Sequence, residues 1–233
     1  MVDLSAEMAD LWGSLGAPAP GRARVVQIVA ARRGEGTSTV AREFAHYAAQ
    51  RAGRSVWLVD LDIGTSAQHA ALTAEAGRYG ELGEAAAASP DGSMFFTVQP
   101  PVRNAQGQAW PDASYLNAYK VGPAKWWVTR FRREVMQPGQ TVHVLPRPEY
   151  WAALRKFADL IVVDSPSADR SKAALTVAPF VDQTVLVVAA EQKDVKAPAL
   201  LRDAIAEAGG QVAGLFFNRV TVEEPAFLRA FRL

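Results

Sequence analysis

Short apolar runs, separated by longer stretches with helical periodicity, dominate this sequence. Five runs are short and largely apolar, as is typical of strands buried on both faces of a parallel sheet. They lie at residues 25–30, 55–60, 159–163, 184–190 and 212–217. Helical patterns fill most of the intervals, at residues 40–50, 148–157, 170–178 and 195–208. Strands that alternate with helices predict an α/β fold of three layers, with a mostly parallel central sheet and helices on both faces.

The middle of the chain departs from this alternation. An alanine-rich stretch at residues 64–93 predicts a helix that ends in a turn, and residues 94–98 and 141–145 predict single strands. Between these strands, residues 99–140 are rich in proline, glycine, glutamine and aromatic residues, and we interpret them as an insertion. Its two predicted arms are residues 115–121 and 126–135.

Basic and aromatic residues are interleaved at positions 119–133 of this insertion. Such a mixture can bind nucleic acid, an anionic membrane surface or a protein partner. Alternatively, its tryptophans pack on the domain while its arginines stay solvated. Only this cluster points to nucleic acid, so we do not expect a nucleic acid partner.

Both ends of the chain carry short amphipathic segments. Near the N-terminus, one helical stripe holds Leu4, Met8, Leu11, Trp12 and Leu15. That helix either packs on the domain or forms an arm for oligomerisation or a partner. At the other end, residues 223–233 either dock on the domain or contact a membrane. We therefore divide the chain into an N-terminal arm and linker, residues 1–21, and one α/β domain, residues 22–233, which contains the insertion and ends in the short amphipathic tail.

Composition limits the classes of function. The 233 residues, 49% of them hydrophobic, suit one α/β domain. The net charge of +1 offers no electrostatic argument for nucleic acid, and the lack of cysteine excludes disulfides and thiolate metal sites. No apolar run approaches the roughly 20 residues of a membrane span, and the acidic N-terminus does not resemble a secretion signal. We expect a cytoplasmic protein, in solution or peripheral at the inner face of the membrane.

A glycine turn follows the first apolar run. Glycines let backbone N–H groups approach an anion, and the N-terminus of the next helix adds partial positive charge. The predicted phosphate-binding residues are Arg33, Gly34, Glu35, Gly36, Thr37, Ser38 and Thr39. Ser38 would contact Mg²⁺, but Thr37 stands where a P-loop has lysine. Fast phosphoryl transfer is therefore not expected unless Arg32 or Arg33 supplies the charge. The turn could instead connect strand and helix without binding a ligand.

Acidic residues end two of the predicted strands. Asp60 and Asp62 leave one strand on the same side, and Asp164 follows the strand at 159–163. Because the carboxyl ends of strands form the ligand crevice of an α/β sheet, we predict Mg²⁺ ligands at Ser38, Asp60 and Asp164, with Asp62 on a water. The first two acids could instead cap the next helix. Three carboxylates repel one another, so we expect a cation among them or disorder in the Asp62 loop.

A side-chain amide ends the last predicted strand. The donor and acceptor of Asn218 together can recognise a purine edge, which makes Asn218, with Arg219 beside it, a candidate purine-binding position. The alternative is an asparagine that only stabilises a turn.

The sequence resembles the deviant-Walker P-loop ATPases, which include ParA, MinD and the bacterial tyrosine kinases of capsule and exopolysaccharide export. The resemblance rests on five segments in the same order: VVQIVAARRGEGTST, VWLVDLDIG, LIVVDSPSADRS, VDQTVLVVAAE and GLFFNRV. GEGTST is most similar to the GEGKST of the polysaccharide kinases, whereas DLDIG and the tail at 223–233 are also similar to MinD. The resemblance covers about half of the chain and implies a three-layer P-loop NTPase fold.

The resemblance also implies roles for the acids. Asp60 would be the Walker A′ acid, Asp62 its water-activating companion and Asp164 the Walker B acid, while Asn218 would face adenine. Arg32 falls where ParA and MinD carry a signature lysine that reaches across a dimer.

Two departures from the kinases bear on activity. Thr37 replaces the catalytic Walker A lysine, and the C-terminal tyrosine cluster is missing, since the last tyrosine is Tyr150. The helix motif that builds the kinase rings is not found either.

We therefore expect a degenerate tyrosine-kinase-like protein that acts as a cytoplasmic regulatory or scaffold subunit in exopolysaccharide biosynthesis and export. It would bind ATP or ADP with Mg²⁺ weakly or not at all. Its partner would be an integral-membrane polysaccharide co-polymerase or export protein, and it could also form homo-oligomers. One alternative is a MinD/ParA-like positioning ATPase that reaches the membrane through residues 223–233. Another is an active autokinase that uses Arg32 or Arg33 in place of the lysine, although arginine is a poor substitute for a point charge.

Overall fold

The computed structural model describes residues 4–220, apart from residues 17, 20, 104 and 193. The helices of the described chain are α1 (Ser5–Leu15), α2 (Thr37–Ala49), α3 (Ala67–Ala74), α4 (Ala76–Tyr79), α5 (Pro148–Arg155), α6 (Ala173–Val177) and α7 (Lys196–Glu207). The strands are β1 (Arg24–Ala30), β2 (Ser55–Asp60), β3 (Leu82–Ala87), β4 (Phe96–Gln99), β5 (Leu116–Val121), β6 (Trp126–Phe131), β7 (Thr141–Val144), β8 (Ala158–Asp164), β9 (Gln183–Ala189) and β10 (Val212–Asn218). Short 3₁₀ helices occur at Asp112–Tyr115, Arg133–Val135 and Ala178–Phe180.

Eight strands form the central sheet, in the order β10-β9-β1-β8-β2-β6-β5-β3. The six strands from β10 to β6 run parallel, whereas β5 and β3 run antiparallel to their neighbours. A parallel sheet covered on both faces needs apolar side chains on both, and β1 and β8 are buried along almost their whole length. The prediction of an α/β fold with a mostly parallel central sheet is confirmed.

Helices cover both faces of this sheet. Successive residues of β1 point to opposite faces, so that Val26 and Ile28 contact one layer and Val25 and Val29 the other. The first layer contains α1 and α2. The second contains α5, α6 and α7, together with the two-stranded sheet of β4 and β7. The result is the predicted arrangement of three layers.

The helix predicted over residues 64–93 is wrong in its second half. Helices α3 and α4 end at Tyr79, and residues 82–87 form β3, an edge strand that pairs with β5. The sequence of β3, LGEAAA, favours a helix by local propensity. Hydrogen bonds to β5 override that preference, because strand formation depends more on pairing than on intrinsic propensity.

The predicted insertion at residues 99–140 is also partly wrong. Its strand β6 pairs in parallel with β2, and β5 pairs with β6, so these residues extend the central sheet. Trp126 is fully buried, and Arg130 forms an ion pair with Glu134 at 2.9 Å. Packing on the domain is thus the alternative that the structure supports for the basic and aromatic cluster.

The N-terminal helix α1 packs on α2, as the first of its two alternatives expects. Met8, Leu11 and Leu15 are buried, and the ring centroids of Trp12 and Phe44 lie 6.2 Å apart. The predicted amphipathic tail at 223–233 lies outside the described residues. Within the described chain, no helix combines the length and apolar character that a membrane crossing requires.

Candidate functional site

The predicted phosphate turn connects β1 to α2 at the carboxyl edge of the sheet. Gly34 and Gly36 have φ angles of +88° and +95°, which glycine adopts without strain. A side chain at Gly36 would also collide with the side-chain amide of Asn218. Because α2 begins at Thr37, the N–H groups of its first turn have no partner within the helix and are available to an anion. The turn therefore has the backbone geometry of a phosphate cradle.

Three side chains hold this turn against β9 and β10. Glu35 is buried, and its carboxylate accepts hydrogen bonds from the N–H groups of Arg32 at 2.8 Å and Ala189 at 3.4 Å. The amide of Asn218 donates to the carbonyl of Glu35 at 2.9 Å, and the Arg219 guanidinium donates to the carbonyl of a turn glycine at 2.7 Å. In this structure Asn218 and Arg219 thus shape the turn, and their adenine-binding role stays a prediction.

A cavity of about 270 Å³ lies over the turn. Thr37, which the sequence analysis places where a P-loop has lysine, lines this cavity, and its short side chain brings no charge. Four arginines line the cavity instead: Arg32, Arg33, Arg170 and Arg219. No lysine of the described chain reaches it. Among the described residues, the positive charge that lines this site is therefore carried by guanidinium groups.

Asp60 and Asp164 lie side by side at the ends of the paired strands β2 and β8, and both are buried. Asp60 accepts hydrogen bonds from the N–H groups of Asp62 at 3.0 Å and Gln68 at 3.1 Å. The side-chain amide of Gln68 donates to Oδ2 of Asp164 at 2.6 Å and to the carbonyl of Ser38 at 2.8 Å. Gln68 therefore links both acids to the start of α2.

Burial raises the pKa of both carboxyl groups. Desolvation is the main cause for Asp164, whose pKa rises from 3.8 to about 6 even though the hydrogen bond from Gln68 lowers it. Desolvation, followed by the charge of Asp164, raises the pKa of Asp60 well above 3.8. The folded protein therefore ionises these two carboxyl groups only at an energetic cost, which a bound cation would offset.

The residues of this site fit a magnesium ion that keeps several waters. Oδ1 of Asp164 is buried and accepts no hydrogen bond from the described residues. The Ser38 hydroxyl lies close enough to Asp164 to lower its pKa. Across the described chain, no group of three or more histidine, aspartate or glutamate side chains is arranged to hold a metal. A magnesium ion needs no such group, because it is usually bound by one or two carboxylates plus water and phosphate oxygens. Asp164 is better placed than Asp60, both of whose oxygens already accept hydrogen bonds.

The Asp62 carboxylate has an ion-pair partner of its own, Arg170. The guanidinium of Arg170 donates to the two carboxylate oxygens of Asp62 at 2.9 and 3.5 Å. The expectation of a cation among the three acids, or of disorder in the Asp62 loop, stays a prediction. Arg170 relieves the charge repulsion at this position.

Arg32 makes an ion pair with Asp194 of its own chain at 2.9 Å. The pair is exposed on both sides, so it is weak and salt-sensitive. The role across a dimer implied for Arg32 stays a prediction, as does its substitution for lysine.

Three residues of this site escaped the sequence-based prediction: Gln68, Arg42 and Arg170. Arg42 is buried in α2 and donates to the side-chain oxygen of Gln68 at 3.2 Å, which orients the Gln68 amide towards Asp164. Their partners lie far away in sequence, so no local pattern reveals them. The only available signal was the position of Arg170 shortly after Asp164, at the edge of the sheet where ligands bind.

No protein-family model matches this sequence, and no curated protein sequence matches it significantly. Solved structures do match. The kinase domain of the Escherichia coli tyrosine kinase ETK is 16% identical, with a TM-score of 0.61 over 96% of this chain and 76% of that chain. The VpsO kinase domain is 18% identical, with a TM-score of 0.58 over 93% of this chain and 95% of that chain.

A septum site-determining protein also matches. MinD from Pyrococcus horikoshii, solved in complex with Mg-ADP, is 16% identical, with a TM-score of 0.53 over 88% of this chain and 75% of that chain. At such identities the matches establish the fold. The chain therefore has the α/β P-loop NTPase fold that the bacterial tyrosine kinase domains share with the MinD ATPases.

Proposed function

We propose that this protein is a degenerate, tyrosine-kinase-like P-loop protein that binds adenine nucleotide with Mg²⁺ weakly and acts mainly through contacts with partners. One observation carries the proposal. Thr37 occupies the lysine position of the turn, whereas Asp60, Asp62 and Asp164 are all assembled at the same edge of the sheet. The site thus keeps groups that hold a metal and a phosphate but has lost a group that stabilises transferred charge.

The missing lysine has a calculable effect. A hydrogen bond to a charged group is worth about 1.5–3 kcal/mol, so its loss weakens phosphate binding by roughly one to two orders of magnitude. The loss of a transition-state donor lowers a rate by roughly 10²–10³-fold. Binding at high nucleotide concentration therefore survives, whereas efficient kinase activity does not.

The proposed roles follow the site. The backbone of residues 33–39 holds the phosphates, and Ser38 and Asp164, with Asp60 behind them, hold Mg²⁺. Asn218 and Arg219 face the base: the Asn218 amide keeps a second N–H beyond the one that it gives to the turn. Asp62 would orient a water if any hydrolysis occurs.

We further propose a cytoplasmic location and a role as a regulatory or scaffold subunit of an exopolysaccharide biosynthesis and export system. The partner would be an integral-membrane co-polymerase or export protein, with self-association as a further possibility. Support comes from the fold match to two tyrosine kinase domains and from the sequence segments similar to the polysaccharide kinases.

Calorimetric titration of ATP and ADP, with Mg²⁺, into the wild type and Thr37→Lys tests the proposal. We expect weak binding by the wild type and roughly 10-fold or greater tightening in Thr37→Lys, because lysine restores a charge-assisted contact. If wild-type protein hydrolyses ATP as fast as Thr37→Lys does, the site is not degenerate. If neither protein binds nucleotide, the proposal is wrong.

A MinD-like positioning ATPase is the second candidate, favoured by the fold match to MinD and by the sequence of residues 223–233. In that function the basic amphipathic tail would lie on a membrane surface. The two candidates therefore differ in whether membrane binding depends on the tail.

A further inference from the structure

We propose that Arg170 is the residue that replaces the missing lysine, and that it binds the terminal phosphate of ATP by leaving its ion pair with Asp62. The inference rests on the proposed nucleotide-binding function and assigns a specificity residue within that site. It differs from a substitution by Arg32 or Arg33, the two arginines next to the turn in sequence.

The backbone positions Arg170 beside the turn. After β8, the chain runs along the end of β1: the N–H groups of Ser165 and Ala168 donate to carbonyls of β1, each at 3.0 Å. Asp169 continues this contact, since its carboxylate accepts a hydrogen bond from the N–H of Arg33 at 3.2 Å. The next residue, Arg170, therefore lines the same cavity as the phosphate turn.

The other arginines of the cavity are engaged elsewhere or less suited. Arg32 pairs with Asp194. Arg219 donates to a carbonyl of the turn and so supports its shape. Arg33 belongs to the turn itself, and its backbone is fixed by Asp169. Arg170 already holds an oxyanion, the Asp62 carboxylate, with two of its nitrogens, and a phosphate presents oxygens to a guanidinium in the same way.

The contact with Asp62 is weak enough to be exchanged. The Arg170 side chain is 36% exposed and the Asp62 side chain 18% exposed, so solvent screens the pair. An exposed ion pair of this kind changes a folding or binding equilibrium by only about 2- to 5-fold. A terminal phosphate carries more negative charge than the Asp62 carboxylate, so it competes more strongly for the Arg170 guanidinium. Exchange also frees the Asp62 carboxylate within the cavity, at the position where a water would be oriented.

This arrangement predicts discrimination between ATP and ADP. Backbone N–H groups of the turn bind phosphates shared by both nucleotides, while Arg170 would bind only the terminal phosphate of ATP. Removing Arg170 should therefore affect one nucleotide more than the other. A residue that merely stabilises the fold would change both affinities together.

The test is calorimetric titration of ATP and of ADP, with Mg²⁺, into the full chain and its variants. We expect Arg170→Ala to weaken ATP binding by roughly 10- to 100-fold and ADP binding by less than about 3-fold. Arg170→Lys should restore part of the loss, and Thr37→Lys in the Arg170→Ala background should restore ATP affinity. Asp62→Asn should tighten ATP binding by about 2- to 5-fold, because it frees Arg170.

Arg130→Ala is the matched control. It removes an ion pair of the same 2.9 Å length, to Glu134, away from the cavity, and should leave both affinities unchanged. Equal losses for ATP and ADP in Arg170→Ala, or no loss in either, would overturn the inference, as would weaker ATP binding by Asp62→Asn. Wild-type protein that binds neither nucleotide would overturn the proposed function itself. Binding that is independent of Arg170 overturns this inference alone.

Discussion

Replacing Asp164 with asparagine should stabilise the metal-free protein at neutral pH. The carboxylate is 1% exposed, and burial raises its pKa from 3.8 to about 6. In the unfolded chain the group ionises near its ordinary pKa, whereas in the folded chain it resists ionisation. Folding at pH 7 therefore includes the cost of charging a buried acid, and asparagine, which has the same shape and no charge, avoids it.

The size of this effect follows from the pKa shift. A rise from 3.8 to about 6 corresponds to about 3 kcal/mol of lost stability at pH 7. Asparagine can keep the contact with Gln68 by accepting its hydrogen bond through Oδ1. Its amide group then replaces the unpartnered Oδ1 of Asp164, and an unsatisfied buried donor costs roughly 1 kcal/mol. The net stabilisation should be about 2 kcal/mol.

The sign of the pH dependence is fixed by the direction of the shift. Because the folded pKa lies above the unfolded one, wild-type stability is unaffected by this group below about pH 4 and falls as pH rises towards about 6. The advantage of Asp164→Asn should therefore appear between about pH 4 and 6 and stay constant above that range. Removing the charge of Asp164 should also lower the pKa of Asp60, which that charge raises.

Urea denaturation with EDTA, followed by tryptophan fluorescence from pH 4 to 7.5, measures this difference. Asp159→Asn is the control with the opposite sign: hydrogen bonds from Arg54 lower the pKa of Asp159 despite partial burial, so its loss should destabilise the protein at pH 7 and matter less at pH 4. A pH-independent difference between wild type and Asp164→Asn would refute the reasoning, as would destabilisation at pH 7.

Two further predictions concern the turn and the tail. In urea denaturation, Gly36→Ala should lower the free energy of unfolding by about 2–3 kcal/mol, because it combines positive-φ strain with loss of the Asn218 hydrogen bond. Gly34→Ala is the control: an added side chain there meets no atom within 4 Å, so the cost should be only about 1 kcal/mol. Equal costs for the two variants would contradict this prediction. In sedimentation with anionic liposomes, the full chain and a form ending at residue 221 should pellet equally if the tyrosine-kinase-like function is right, and loss of pelleting in the shorter form would favour the MinD-like function.

Local pattern was enough to predict the parallel strands, because a strand buried on both faces needs a continuous apolar run. The runs at residues 25–30, 55–60 and 159–163 lie in β1, β2 and β8 for this reason. Strand β3 was mispredicted because its alanines carry helix propensity and its only reason to be extended is β5, more than 30 residues later. The role of β6 was missed on similar grounds, since nothing in its own sequence indicates that it pairs with β2.

The candidate site also contains residues that local sequence could predict and residues that it could not. The turn and the three acids were predictable because each follows directly from a strand end. Arg170 and Gln68 were not, because they act through contacts with Asp62 and Asp164 that span about 100 positions of sequence. Long-range partners of this kind decide how charge is balanced within the site, and therefore which ligand it can accept.

The charge balance gives the strongest physical argument that this site binds a ligand. Asp60 and Asp164 lie side by side, buried and with raised pKa values, while the guanidinium groups of Arg42 and Arg170 pair with other acids, Glu75 and Asp62. As purely structural residues they would be replaced by asparagine with a gain in stability. Their cost becomes useful only when a cation occupies the space at Oδ1 of Asp164, because the same desolvation that raises the pKa strengthens the attraction to a bound ion. Stability lost in the free protein would then be recovered on binding, and the ligand that we propose for the turn, Ser38 and these acids together is Mg²⁺ with a nucleotide phosphate.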